Sequence, residues 1–348
     1  MRFDEEELFG DDAAAAAPDR RAFGREELIA CERCGRASPP TRIKCLYCGA
    51  ALPAAEGGGD RRRPALKPLE EWERGYNIVL ARRAGEGSPP RGDALAEAAS
   101  LARLRPEHLG EMLAAATALP LARTGEGVEA ELLERRLTGL GLGVEIVADE
   151  ELAVESHPPR RVRRIEFEEE CVAGLSGGGG GAERAAWGDV ILIVVGRIFK
   201  KRIEVEERQK RGAGTEVVES RELAEDEGVL DLHFRGSPAG WRVMAEGFDY
   251  SCLGARKGLL AAENFERLAG ELRGRATAAR FDDSYRGVRR WLQFAWPPEE
   301  HTEAGALRRA GLGRFNQEVV TSVSNETQFT RYSRLLAHFN ARGRTDGA

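Results

Sequence analysis

The chain has 348 residues, 42% hydrophobic and 32% charged, with 52 Lys and Arg against 58 Asp and Glu for a net charge of −6. That length suits two or three domains, and no apolar run reaches the ~20 residues of a membrane-spanning helix. Six cysteines are too few for a disulfide scaffold, and the acidic start MRFDEEELFGDD lacks the basic-then-apolar order of a signal peptide. A cytoplasmic multidomain protein is expected, of mixed α+β class. Residues 1–27, with the run Ala13–Ala17, bury little and read as a disordered acidic N-terminus.

Residues 28–51 hold the one strong motif. Cys31-Glu-Arg-Cys34-Gly35 and Cys45-Leu-Tyr-Cys48-Gly49 are two C-x-x-C-G knuckles with ten residues between them. Each brings two sulfurs to a tight turn, and the glycine supplies the positive φ that such a turn needs. Four thiolates make the tetrahedral set that Zn²⁺ prefers, with no coordination position left for a substrate, so Cys31, Cys34, Cys45 and Cys48 are expected to hold a structural zinc ion. Iron fits the same spacing. A redox dithiol pair lacks the thioredoxin-like strand context it needs. The stretch 31–49 resembles the zinc-ribbon family. So short a segment makes little core of its own, and metal binding would supply its folding free energy.

Residues 52–71 (LPAAEGGGDRRRPALK onward) read as a linker. From Cys31 to Lys67 eight basic residues, Arg33, Arg36, Arg42, Lys44, Arg61, Arg62, Arg63 and Lys67, face three acidic ones, a local charge of +5. Nucleic acid is one partner this suggests, the arginines meeting phosphates and Tyr47 stacking on a base. Alternatively, these cations neutralise a four-thiolate zinc centre, and the ribbon meets a protein.

Residues 72–152 read as a compact module in the order β-α-α-β-α-β: strand Tyr76–Leu80, helices over Leu95–Leu104 and from Pro106 to about Ala116, a strand near Leu119–Ala122, helix Val128–Leu137 and strand Gly143–Val147. With the turn Arg105-Pro-Glu-His-Leu109, the LPLARTGEG connection and the ending AELLERRLTGLGLGVEIV, residues 74–148 resemble the C-terminal domain of the bacterial ribosomal stalk protein, a fold shared with the adaptor of the Clp protease. The resemblance implies a small α/β module used for protein contact. In the stalk family the second helix is lysine-rich and touches translation factors; Pro106–Ala116 has no lysine, so no functional residue is carried over.

Residues 153–186, with SHPPRRVRR and the run Gly177–Gly181, read as a Gly-rich linker. The run lacks the strand before and the GK[ST] after that a phosphate loop requires, and Gly174-Leu-Ser-Gly-Gly178 has no scaffold for a nucleophile elbow. Residues 187–275 read as a β-rich module, loosely like a pleckstrin-homology half-barrel. Its strands are the apolar run after Trp187, then Arg202–Glu207, Glu216–Ser220, Val229–Phe234 and Trp241–Ala245, and it closes with helix Leu259–Leu272. The basic stretch Arg197–Arg202 reads as a solvated strand end. Residues 276–348 read as a mainly helical tail. Trp241, Phe248, Tyr250, Trp291, Phe294 and Trp296 are expected in cores, and Asn325-Glu-Thr327 matches a glycosylation acceptor.

The sequence thus favours a non-catalytic binding or adaptor protein whose zinc-braced ribbon meets a protein partner. Nucleic acid, through the ribbon and Arg61–Arg63, is the alternative. A third reading is an enzyme in 187–348: Asp231 and His233 share a strand face at i, i+2, and Asp249 and Cys252 lie close in sequence, a set that would pair a cysteine nucleophile with a histidine.

Overall fold

The computed structural model describes residues 24–25, 28–40, 42, 44–50, 52, 66, 69, 73–81, 90–115, 117–177, 181–210, 215–311 and 314–345. The expectations for the acidic N-terminus, Arg61–Arg63 and most of the 52–71 linker lie outside the described residues. No helix among the described residues is long and apolar enough to cross a membrane. Contacts group the chain into two units, Met1–Asp149 with Arg290–Ala295, and Glu150–Arg289 with Trp296–Ala348.

The first unit begins with a two-stranded hairpin, β1 (Ile29–Ala30) and β2 (Ala37–Ser38). The α/β module follows in the expected order: β3 (Tyr76–Leu80), α1 (Asp93–Leu101), α2 (Pro106–Ala114), β4 (Leu119–Thr124), α3 (Gly127–Gly139) and β5 (Val144–Ala148). Strand β3 is central, antiparallel to both neighbours. The helices bury the stripes that their spacing dictates, Ala98 and Leu101, Leu109 and Met112, and Ala130, Leu133 and Leu137, along with Ile78, Leu121 and Val147 of the sheet. Pro106 at the start of α2 costs nothing, since a first-turn N–H has no helical partner.

One carboxylate ties the ends of all three strands. Asp149 accepts from the Gly75 amide at 2.8 Å, from Asn77 Nδ2 at 2.9 Å and from Arg123 Nε at 3.0 Å. Asn77, fully buried, also donates to the Val147 carbonyl, so its amide is satisfied.

In the second unit, α4 (Asp149–Leu152) is followed by β6 (Arg160–Arg161), and β7 (Arg164–Phe167), β8 (Cys171–Leu175) and β9 (Glu183–Ala186) form a three-stranded sheet. The expectation of a linker over 153–186 is therefore corrected: its glycines and charges hide Val162, Ile165 and Val172, which enter the core. The larger sheet is built on β10 (Val190–Lys210) and β11 (Thr215–Phe234), paired along almost their whole length. At ~3.3 Å per residue each spans about 65 Å. The short strands read at Arg202, Glu216 and Val229 are parts of these two.

Strand β12 (Trp241–Met244) continues the sheet, followed by α5 (Ala261–Arg275), β13 (Arg280–Asp282), α6 (Tyr285–Leu292), β14 (Glu299–Ala304), β15 (Arg308–Gly311), β16 (Arg314–Ser324) and α7 (Glu326–Thr345). The sheet order is β14-β16-β10-β11-β12-β6, with β13 alongside the start of β10 and β15 alongside β16. This corrects two expectations. Residues 276–348 are not mainly helical, because four strands lie there. The β-rich module does not close at 275, because β13 and β16 both pair with β10.

The core of this unit joins Ile193, Leu230, Leu232 and Val243 of the sheet to Phe265, Leu268 and Leu272 of α5, with Trp241, Phe248 and Tyr250 buried as expected. Trp296 is buried too, whereas Phe294 is 43% exposed. Along α7, Phe329, Tyr332, Leu335 and Leu336 are buried. Gly196 of β10 admits the aromatic rings of Phe329 and Tyr285, which a Cβ at that position would meet at 2.5 and 2.9 Å. Both rings are fully buried and have nowhere to retreat. Gly196→Ala is predicted to lower stability by about 1–3 kcal/mol, as overpacking does, read as a lower urea midpoint with an unchanged slope.

Candidate metal centre

The two knuckles fold as near copies of each other. The Gly35 amide donates to the Cys31 carbonyl at 2.7 Å and the Gly49 amide to the Cys45 carbonyl at 3.0 Å, with φ of 68° and 70° at the two glycines. Each loop is closed from behind, the Cys31 amide donating to Arg36 O at 3.0 Å and the Cys45 amide to Ala50 O at 2.8 Å. Hairpin β1–β2 holds the first knuckle, and Leu52 packs with Cys31 and Cys45 in a very small core.

The four sulfurs converge. Cys31 Sγ lies 3.6 Å from Cys48 Sγ and Cys34 Sγ lies 3.5 Å from Cys45 Sγ, and no pair is more than 4.8 Å apart. A tetrahedral Zn–S₄ centre, with bonds of about 2.3 Å, requires S···S edges of about 3.8 Å. The donor set and its spacing fit a zinc ion. All four cysteines are free, at separations far beyond the roughly 2.05 Å of a disulfide.

Hydrogen bonds favour thiolate at Cys45 in particular. The Tyr47 amide, 3.4 Å from Cys45 Sγ, with further help from the Ser38 hydroxyl, draws this thiol down to about 6. The Arg36 amide acts to lower Cys34 as well, yet desolvation and the bonds from the other three sulfurs outweigh it and push that thiol up to about 12. A cluster of four sulfurs thus resists losing all its protons until a cation offsets the charge. Ser38, fully buried, escaped the sequence reading; its Oγ donates to Cys45 Sγ at 3.7 Å and accepts from the Leu46 amide at 3.4 Å. Its only sequence signal is a small hydroxyl in the strand after the first knuckle.

Around the cluster, Leu46 and Tyr47 are 54% and 58% exposed. The Arg36 guanidinium lies 4.8 Å from the centre of the Tyr47 ring, and Lys44 pairs with Glu126, just before α3. Two of the basic groups read from the sequence are thereby engaged within the first unit.

The residues of the enzyme reading fall in two places. His233 and Asp231 are buried on β11. Asp231 takes a two-pronged bond from Arg242, at 2.8 and 2.9 Å, and His233 Nε2 lies 2.7 Å from Ser333 Oγ. Burial pushes the Asp231 carboxyl up, and the Arg242 guanidinium reverses this to hold it below its ordinary range. Cys252 sits in a 3-10 helix, Tyr250–Arg256, where Asp249 accepts from the Ser251 amide at 2.9 Å. Burial raises the Cys252 thiol to about 11, the direction opposite to an activated nucleophile.

Family models, curated proteins and solved structures were all compared with this chain, and none matches.

Two predictions follow from this geometry. Purified protein denatured in the presence of a zinc-sensitive dye should release about one zinc per chain, and Cys34→Ser should abolish the release. The second concerns His233, which desolvation holds down at about 4 despite the attraction of Asp231, with Arg334 and Arg242 acting in the same downward sense. A folded-state value below the ordinary ~6.5 means the fold prefers neutral histidine. Its stabilising contribution is then complete above about 6.5 and lost as the pH falls toward 4. Urea titrations should show that decline, by at most about 3 kcal/mol, and His233→Gln should flatten it.

Proposed function

We propose that the protein is a zinc-braced binding protein, in which the closed four-sulfur centre holds a rigid surface for a protein partner and performs no reaction. The observation that carries this reading is the pairing of a convergent four-sulfur cluster with a directly adjoining exposed pair, Leu46 and Tyr47, in the loop between Cys45 and Cys48. Aromatic and aliphatic side chains fixed on so small a scaffold lose little entropy on contact, which favours them as anchors.

Nucleic acid is the weaker alternative. Arg36 occupies one face of Tyr47 and Lys44 is paired with Glu126, so a stacking face and a phosphate contact are both taken up. An enzyme is weaker still, with the Cys252 thiol raised and His233 held by Ser333. The α/β module has the element order of the stalk-protein domain that its sequence resembles, a fold used for protein contact, and this supports a binding role.

The deciding experiment is affinity purification with three forms of the full chain: intact, Cys31→Ser with Cys34→Ser, and Leu46→Ala with Tyr47→Ala. The expected outcome is one set of proteins lost from both variants, while the Leu46/Tyr47 variant keeps its zinc. Partners retained by both would remove the ribbon from the interaction. Binding to DNA or RNA that weakens steeply with salt and depends on Arg33 and Arg42 would replace the protein reading by the nucleic-acid one.

A further inference from the structure

The first half of β11 forms the outer edge of the large sheet. Every residue from Glu216 to Asp226 is exposed. Strand β10 pairs with one side of this stretch; among the described residues the other side meets no strand, since β12 covers only Val229–Leu232. The direction of the free groups can be derived. The Gly228 carbonyl accepts from the Ala245 amide at 2.8 Å, on the side away from β10. In an antiparallel ladder a residue's N–H and C=O point the same way and alternate with a period of two. Asp226, Ala224, Glu222 and Ser220 therefore aim their backbone outward. The Asp226 carbonyl takes the Arg197 guanidinium at 2.6 Å, which leaves Ala224, Glu222 and Ser220 open, up to the bulge where Glu206 faces Glu219 and Glu207 faces Val217.

Native sheets blunt such an edge with Pro, Lys or shortness. Between Thr215 and Gly228 there is neither proline nor lysine. Instead the stretch carries Glu216, Glu219, Glu222, Glu225, Asp226 and Glu227 against Arg221 alone. Some of this charge is met locally: Arg221 bonds Glu219, Lys201 bonds Glu222 and Arg197 bonds Asp226. Lys200, directly opposite Glu225, is drawn to Glu326 instead. Leu223, 59% exposed, shares a face with Glu225 and Arg221. Two copies of this edge would set like charges against each other, which disfavours self-pairing.

We propose that the outer edge of β11, from Ser220 to Asp226, docks an extended basic peptide of a partner protein as an added strand. Backbone hydrogen bonds to Ser220, Glu222 and Ala224 supply affinity. Glu222 and Asp226 on one face favour basic residues and Leu223 on the other an aliphatic one, so the segment selected alternates between the two, within the net negative field to which Glu225 adds. The site is separate from the ribbon, so it stands or falls independently of the zinc-dependent reading.

The test uses the full-length, zinc-loaded chain and fluorescence anisotropy at low salt. One labelled probe is a peptide of about eight residues alternating lysine and valine; the second has the same charge with proline in place of valine and cannot form a strand ladder. The first should bind at least about tenfold more tightly than the second. Ala224→Pro should lower its affinity at least about tenfold with circular dichroism and thermal midpoint unchanged, because proline is tolerated where the N–H faces solvent. Glu225→Lys, which leaves the backbone intact, should weaken binding at least about threefold and make it less salt-sensitive. Should Ala224→Pro fail to fold, Glu225→Lys and the two peptides decide. Equal affinity for both peptides, or indifference to Glu225→Lys, overturns the proposal. So does a dimer of the free protein that Ala224→Pro dissociates, which would assign the edge to a second copy of the chain.

Discussion

The ladder between β10 and β11 is the constraint from which the second unit takes its form. Its first part, around Ile193 and Leu232, is apolar and lies in the core beneath α5. Its far part, from about Lys200 and Asp226 onward, carries charged residues on both faces and pairs with β16. One continuous set of backbone hydrogen bonds therefore joins a buried region to an exposed one. Pairing fixes register over the whole length, so the side chains that leave the core do so with defined facing even where no packing holds them. The buried Asp231–Arg242 pair lies in the adjoining ladder, on directly opposed residues of β11 and β12. Desolvation consumes most of the attraction between such buried ions, so the pair adds little net stability, while removing either partner would leave an uncompensated buried charge.

The ribbon rests on a different economy of forces. Among the described residues, Leu52, Ile29 and Ala50 are the apolar side chains packed with the cysteines, so apolar burial there is slight. Sulfur–metal bonding would take the place of a core, and the amides of the knuckle turns and the Ser38 hydroxyl favour negative charge at Cys45. Its outward residues, Leu46 and Tyr47, are displayed because Cys45 and Cys48 on either side turn their sulfurs into the cluster.

Legibility in the sequence followed the physics of each part. The cysteines were readable because coordination dictates both spacing and the glycine after each pair, and the α/β module because Ala130, Leu133 and Leu137, and their counterparts in the other helices, repeat at helical intervals. The segment 153–186 reads as linker because its strands are only two to five residues long and lie between glycines and arginines. Strand β14, Glu-Glu-His-Thr-Glu-Ala, has no apolar period because almost all of it is exposed; only pairing with β16 makes it a strand. Long-range pairing of this kind leaves no local trace. The same holds for the Asp149 clasp, whose partners Gly75 and Asn77 lie far back along the chain, while Ser38 and Arg36 meet partners in the next knuckle that no periodic pattern marks.

Asn325, between β16 and α7, explains one pattern in a way that spacing alone would not. Its Oδ1 accepts from the Phe199 amide at 2.7 Å, while Nδ2 donates to Tyr285 Oη at 3.0 Å and approaches the Arg197 carbonyl at 3.4 Å. The carboxamide thus splices into the backbone of β10 just where β16 departs, and both of its ends are used. A carboxylate there would set oxygen against oxygen at Arg197, and a shorter side chain would leave the Phe199 amide bare. The tripeptide that mimics a sugar-acceptor signal is therefore a structural joint, its nitrogen sealed inside the folded protein.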